Sequence, residues 1–135
     1  MSLKKLQSFM KSVRWGDLAT GDGKVVGVRP MAGWAWVGKE LWTAAGRSQD
    51  KVKHLKKVPY AEYSFAKRSG EHVRIAGRCV VSQEKKHKEH LYQLLPGLKH
   101  YMDGPADRDY VVLRMRPTKI RWMKLTDYSY RKVKI

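Results

Sequence analysis

Cysteine is nearly absent: the 135-residue sequence holds one, Cys79, so no internal disulfide can form and the fold must stand without covalent staples. Acidic residues are scarce too, 12 Asp and Glu against 29 Lys and Arg, which leaves a formal net charge of +17. No apolar run approaches the ~18 residues that would span a bilayer, and the N-terminal stretch MSLKKLQSFMKS lacks the continuous apolar centre of a signal peptide. Signatures of self-contained catalysis are missing as well. Gly21, Gly23 and Gly27 do not make the G-x-G-x-x-G spacing, and there is no P-loop, no G-x-S-x-G elbow and no H-E-x-x-H pair. His87 and His90 lie three apart with no third ligand legible near them, so no metal site is expected. Cys79 has no legible His or Asp partner and reads as a plain thiol in a strand. The expectation is a soluble, cytoplasmic protein whose chemistry does not come from an acid/base dyad of its own.

What is present is enough apolar material to fold. At 42% hydrophobic residues the chain is too apolar for a disordered polycation, and a domain of this length hides about two-thirds of the surface its unfolded chain exposes. The surplus positive charge calls for a negative partner: nucleic acid, an anionic membrane surface or a phosphorylated small molecule. Lys and Arg are spread along the chain, with mild clusters at 51–57, 85–88 and in the tail RKVKI, rather than gathered in one polybasic arm.

Leu3, Leu6, Phe9, Met10 and Val13 recur at helical spacing, predicting an amphipathic helix over 3–13 that Gly16 ends. Strands follow at 15–20 and 24–31 around the turn Gly21-Asp22-Gly23, in which Asp22-Gly23 is expected to supply positive φ angles. A second hairpin pairs 34–37 with 40–44 across Gly38-Lys39. Val52, Leu55 and Val58 share one face of a helix over 50–58 that Pro59 stops. Strands are predicted at 60–65 and 72–82, a helix over 83–95 with His87, Leu91, Leu94 and Leu95 inward, and strands at 110–116 and 119–125. Six or seven strands at such short spacings, interrupted by brief helices, point to a closed or nearly closed antiparallel barrel. One domain over 1–125 and a short basic tail over 126–135 is the expected organisation.

One group of residues has the makings of an anion site. Arg29 ends a strand before Pro30, Thr43 ends a later strand, and AAGRSQDK then opens a helix with Arg47, Ser48 and Lys51 around its first turn. Backbone N–H groups at a helix start, a hydroxyl and two or three cations are what a phosphate dianion requires. Ser48 serves equally well as a helix cap.

The ordered pieces Val28-Arg29-Pro30-Met31, Trp42-Thr43, Lys51-Val52-Lys53 with Leu55 and Pro59, and Arg116-Pro117 make the chain resemble the flavin-binding split-barrel proteins related to pyridoxamine 5′-phosphate oxidase, from about residue 3 to residue 125. The resemblance implies a mostly β fold, a six-stranded antiparallel split β-barrel of Greek-key type with a few short helices. It also implies a homodimer with FMN bound in each of two grooves at the subunit interface. Carried over by position, Arg29 and Lys51 hold the FMN phosphate and Thr43 adds a hydroxyl, while Arg29, Pro30, Met31 and Trp42 border the ring system. His72 stands where relatives place a polar side chain that reaches the partner's flavin. Ser48 is one residue away from the usual phosphate-binding hydroxyl, a place held here by Gln49. The C-terminal arginine-containing segment that grips pyridoxal phosphate has no counterpart in TDYSYRKVKI, so pyridoxamine phosphate is not the expected substrate.

A flavin carries its own redox chemistry, so a flavin-dependent oxidoreductase of unassigned small-molecule substrate is the expected function. Trp34, Trp36 and Trp122 are candidates to line the substrate space, with core or interface packing as the competing role. Some relatives use F420 or haem in the same fold, and a non-catalytic flavin-binding protein would share the same contacts. A small basic barrel for single-stranded nucleic acid is the alternative of another class. It is disfavoured because the aromatics are not interleaved with Lys and Arg on one strand face. No membrane partner is expected. Trp15, Trp42 and Val73 are expected to leave apolar area that a second copy covers.

Overall fold

Ser2 opens the first helix by accepting a hydrogen bond from the Lys5 backbone N–H at 3.2 Å, and α1 (Leu3–Val13) turns Leu6, Phe9 and Met10 inward. The computed structural model describes the whole chain, Met1–Ile135. α1 ends at Arg14, whose N–H still donates to the Met10 carbonyl at 2.8 Å while its φ of 72° turns the chain out of the helix. Gly16 has a different task from the expected helix stop. It is the first residue of β1 (Gly16–Gly21), and a Cβ there would lie 2.3 Å from the Phe65 ring.

β1 pairs with β2 (Val26–Met31) through a loop in which the Asp22 carboxylate accepts from the N–H groups of Lys24 and Val25. Only Gly23 takes a positive φ, 96°, so the expected pair of positive angles is not formed. The longer loop sets the register: Thr20 faces Gly27 and Leu18 faces Arg29. β3 (Trp34–Val37) and β4 (Glu40–Gly46) form the second hairpin, followed by α2 (Asp50–Lys57), β5 (Tyr60–Ala66) and β6 (His72–Ser82). α3 (Lys85–Leu94) buries Leu91 and Lys88, while Leu94, expected inward, is 43% exposed because the helix ends there and the chain turns into a 3-10 segment at Pro96–His100.

The two strands expected around Pro117 are one, β7 (Tyr110–Met123). Proline is tolerated within it because the ladder slips there: Gly77 faces Pro117 and Ala76 faces Lys119, a bulge that removes the need for one N–H. β8 (Arg131–Lys132) adds to β7, and Val133 beyond it is buried.

All pairings are antiparallel, in the order β2-β1-β5-β6-β7-β4-β3, with crossovers that set β1 beside β5 and β4 beside β7. The sheet curls around a core that includes Leu18, Leu41, Tyr63, Phe65, Ile75 and Leu113, closed at one end by α1, while its edge strands β2 and β3 stay unpaired with each other. This is a split barrel, built from eight strands where six were expected. A smaller cluster of Trp42, Leu91, Leu98, Tyr110 and Val112 lies between the outer face of β4 and β7 and the α3 region. Trp42 and Val73 are therefore covered within the chain, at 5% and 0% exposure. Apolar surface remains instead on Trp15 and on the outward face of β2, where Val26 and Val28 are 82% and 68% exposed.

Candidate functional site: a paired-cation pocket

Gly27 shapes the site. With no side chain opposite Thr20, the Arg29 side chain folds back along the hairpin, and a Cβ on residue 27 would lie 2.6 Å from its Nη2. Arg29 Nη1 donates to the Leu18 carbonyl at 3.1 Å and to Thr20 Oγ1 at 2.7 Å. Helix α2 packs on β1, turning Val52 and Leu55 into the core and leaving Lys51 and His54, one turn apart, half-buried beside the hairpin. His54 Nδ1 lies 2.9 Å from the same Thr20 hydroxyl.

Burial and, behind it, the Arg29 charge push the Lys51 ammonium below its ordinary pKa. Burial lowers the Arg29 guanidinium as well, opposed by the charge of Asp50. No carboxylate forms an ion pair with either side chain. Two partly desolvated cations without a bridging counter-ion make a place where a dianion gains from both.

A pocket of about 420 Å³ takes in Lys51 and runs over Pro30 and Met31 of β2, the Ala44–Gly46 end of β4, and an outer wall that includes Tyr101 and Met102. Pro30, Met31 and Lys51 thus line one pocket, whose wall also carries the carboxylates of Asp107 and Asp109, and Arg29 precedes Pro30 on β2 beside it. The remaining expected residues lie elsewhere. Thr43 points to the barrel interior, fully buried, with Oγ1 2.7 Å from the Tyr63 hydroxyl. Strand alternation then places Trp42 on the opposite face, where its Nε1 donates to Glu40 Oε1 at 2.8 Å and its ring meets His87 and His90 edge-on. Ser48 is exposed and caps nothing; Gln49 is the N-cap residue, and its side-chain oxygen accepts from the Gly46 N–H at 2.9 Å. Arg47 swings to Gln83, away from Lys51. His72 has both ring nitrogens engaged within the chain, Nδ1 2.8 Å from the Gly70 carbonyl and Nε2 2.7 Å from the Tyr130 hydroxyl.

Trp34 and Trp36 line a separate cavity of about 600 Å³, and Trp122 donates to Glu71 Oε2 at 2.9 Å. Cys79 is fully buried and its thiol is pushed up to about 12, so it is no nucleophile. Ser82, His87 and Glu84 carry the residue types of a hydrolytic triad, yet the serine hydroxyl (2.6 Å) and the carboxylate (3.5 Å) both approach Nδ1. A base must hold its nucleophile and its orienting carboxylate on different ring nitrogens, so this group is a local brace at the start of α3.

His54 and Thr20 are the members of the cluster that the sequence reading did not find. The signal for His54 was its place three residues after Lys51 on the same helix face; Thr20 needed the hairpin register.

A family model described as pyridoxamine 5′-phosphate oxidase matches residues 2–124. Among solved structures, a NimC/NimA family protein from Clostridium acetobutylicum is similar at TM-score 0.82 and 21% identity, covering 97% of this chain and 90% of that one. General stress protein 26 from Bacillus anthracis is similar at TM-score 0.76 and 18% identity, with 96% and 97% covered. HupZ of Group A Streptococcus is similar at TM-score 0.78 and 14% identity, with 99% and 100% covered. At these identities the likeness is one of fold. No curated protein matches the sequence.

Proposed function

The chain belongs to the pyridoxamine 5′-phosphate oxidase family, and from that premise we propose that it is an FMN-binding oxidoreductase that acts as a homodimer on a small-molecule substrate. The observation that carries the reading is the Arg29 and Lys51 pair, partly buried, without a carboxylate partner, and adjoining the pocket over Pro30 and Met31. Arg29 and Lys51 neutralise and hold the phosphate. Pro30 and Met31 would border the flavin ring, and Tyr101 and Met102 line the same pocket. Bound FMN supplies hydride or single-electron transfer at its own ring, which is why no acid/base dyad is needed in the pocket. The exposed Trp15 and the Val26 and Val28 face of the open edge strand supply apolar surface for a second copy.

The test is an absorption spectrum of the purified protein, mass analysis of whatever heat releases, and calorimetric titration with FMN. Yellow protein, or stoichiometric FMN uptake, is the expected result. Protein that is colourless and takes up no FMN overturns the reading, and release of F420 or haem would redirect it. Reduction of the bound flavin by NADH or NADPH, followed by reoxidation with a panel of acceptors, separates an enzyme from a carrier.

A further inference from the structure

We propose that His54 is the positioning residue of this anion site: its bare Nδ1 accepts the hydroxyl proton of Thr20, whose oxygen in turn fixes the Arg29 guanidinium. The inference rests on the phosphate-binding reading of the cluster and deepens it.

The direction of the relay follows from what each group can give. A guanidinium has donors only, so at the 2.7 Å contact Thr20 Oγ1 accepts from Arg29 Nη1. Thr20 is 3% exposed, and its own proton needs an acceptor inside the protein. The acceptor is His54 Nδ1, 2.9 Å away. With Nδ1 unprotonated, the neutral ring carries its proton on Nε2. The opposite polarity, Nδ1–H donating to Thr20, would set two donors on the threonine oxygen and leave the buried hydroxyl proton without this partner.

Two consequences concern the ligand. The guanidinium contacts within the chain fall on Nη1 alone, through Thr20 and the Leu18 carbonyl, so Nε and Nη2 keep their donors for an anion. Lys51 and His54 also ride on one helix, so α2 places one cation directly and orients the other through Thr20. Loss of the relay would leave the Arg29 tip held by the Leu18 carbonyl alone, and ordering it again would weaken the grip on a phosphate. It would leave the contacts to a ring in the pocket unchanged.

The experiment combines imidazole nitrogen NMR on the unmodified protein with binding of FMN, riboflavin and inorganic phosphate to His54→Ala, His54→Asn, Thr20→Val and the double variant Thr20→Val/His54→Ala. Asparagine can set its amide oxygen where Nδ1 stood, so it keeps the acceptor. We expect an unprotonated Nδ1, losses for FMN and phosphate on the order of tenfold in the Ala and Val variants, no loss for riboflavin, a double variant no weaker than either single one, and substantial recovery with Asn. A protonated Nδ1, additive losses, equal loss for riboflavin, or an Asn variant as weak as Ala would each overturn the proposal. The NMR result does not depend on any variant folding. If the unmodified protein binds inorganic phosphate but not FMN, the flavin reading fails while the relay is judged on phosphate; if it binds neither, the anion site and the relay fall together.

Discussion

Gly27→Ala separates a change in the site from a change in the fold. The new Cβ would stand 2.6 Å from Arg29 Nη2 and 3.5 Å from His54 Cε1 and Arg29 Cζ, with no backbone atom among the near neighbours. Gly27 does not need positive φ, so the strand itself accepts alanine. The flexible guanidinium must therefore move, breaking its contacts to Leu18 and Thr20. For the fold the balance is small: the half-exposed Arg29 can hydrate again, and the Gly to Ala change contributes about 0.4–1 kcal/mol through the unfolded chain. The melting temperature should shift by no more than about 4 °C in either direction. For the site the loss is larger. A charge-assisted contact to phosphate is worth about 1.5–3 kcal/mol, roughly a ten- to hundredfold loss of FMN affinity. Riboflavin, which has no phosphate, should bind as before. Parallel titrations monitored by flavin fluorescence, together with calorimetric melting, provide the measurement. Unchanged FMN affinity would mean that the folded-back Arg29 is irrelevant to the ligand, and equal losses for FMN and riboflavin would mean that the alanine damages the pocket as a whole.

Lys51→Met should weaken FMN but not riboflavin and should stabilise the ligand-free protein. Because burial depresses the Lys51 pKa below its ordinary 10.5, the folded chain binds fewer protons there than the unfolded one, so stability gains from this group as pH rises towards 10.5 while FMN affinity falls; melting scans of Lys51→Met that keep the same alkaline rise would refute this. Gly77→Ala places a Cβ 2.2 Å from the Arg116 carbonyl oxygen and 2.8 Å from Pro117 Cα, backbone atoms that cannot step aside, so denaturant unfolding should show a loss of about 2 kcal/mol or more. Cys79, with its thiol pushed up to about 12, should resist a thiol reagent at pH 8 until the protein unfolds; reaction at the rate of a free thiol would contradict its burial. Val28→Lys on the open edge strand should convert the dimer proposed above into monomers by light scattering and weaken FMN with it; a dimer unchanged by this substitution would place the interface elsewhere.

Periodicity carried the helices and most strands, since α1 and α2 declare their buried faces through Leu6, Phe9 and Met10, and through Val52 and Leu55. Local signals misled where a residue answered to something distant. Gly16 looked like a helix stop but makes room for Phe65, and Pro117 looked like a strand break but sits in a bulge opposite Gly77. The site was half legible for the same reason. Arg29 and Lys51 are singled out by residue type and order, and the fold brings them close enough for the Arg29 charge to act on Lys51. Thr20 is not, because the expected turn at Gly21-Asp22-Gly23 sets it opposite Lys24, whereas the longer loop sets it opposite Gly27 and under the Arg29 side chain. Thr43 was misplaced by one face of a strand: a period of two decides whether a hydroxyl meets a ligand or, as here, Tyr63.

Unpaired cations are common in a chain with 29 Lys and Arg against 12 Asp and Glu, so lack of a partner is weak evidence on its own. The carboxylates are also not evenly shared: Glu62 serves Arg74 and Arg121, and Glu40 serves Arg114 and Arg116. What sets Arg29 and Lys51 apart from the exposed cations is that both lose water as well as lacking a carboxylate partner, whereas the buried Lys88 is held by the Asp107 carbonyl. Lys56 and Lys57, on the outer side of the same helix, are exposed and remain hydrated. At an ionic strength near 0.15 M the Debye length is about 8 Å, so charges there act on an incoming anion only through a screened field. Lys56→Gln/Lys57→Gln should therefore slow FMN association modestly, and only at low salt, with no change in the dissociation rate. Stopped-flow titrations across a salt series distinguish the two kinds of lysine. A faster dissociation from the double variant, persisting at high salt, would show that the helix holds the phosphate by its general charge and not by Lys51.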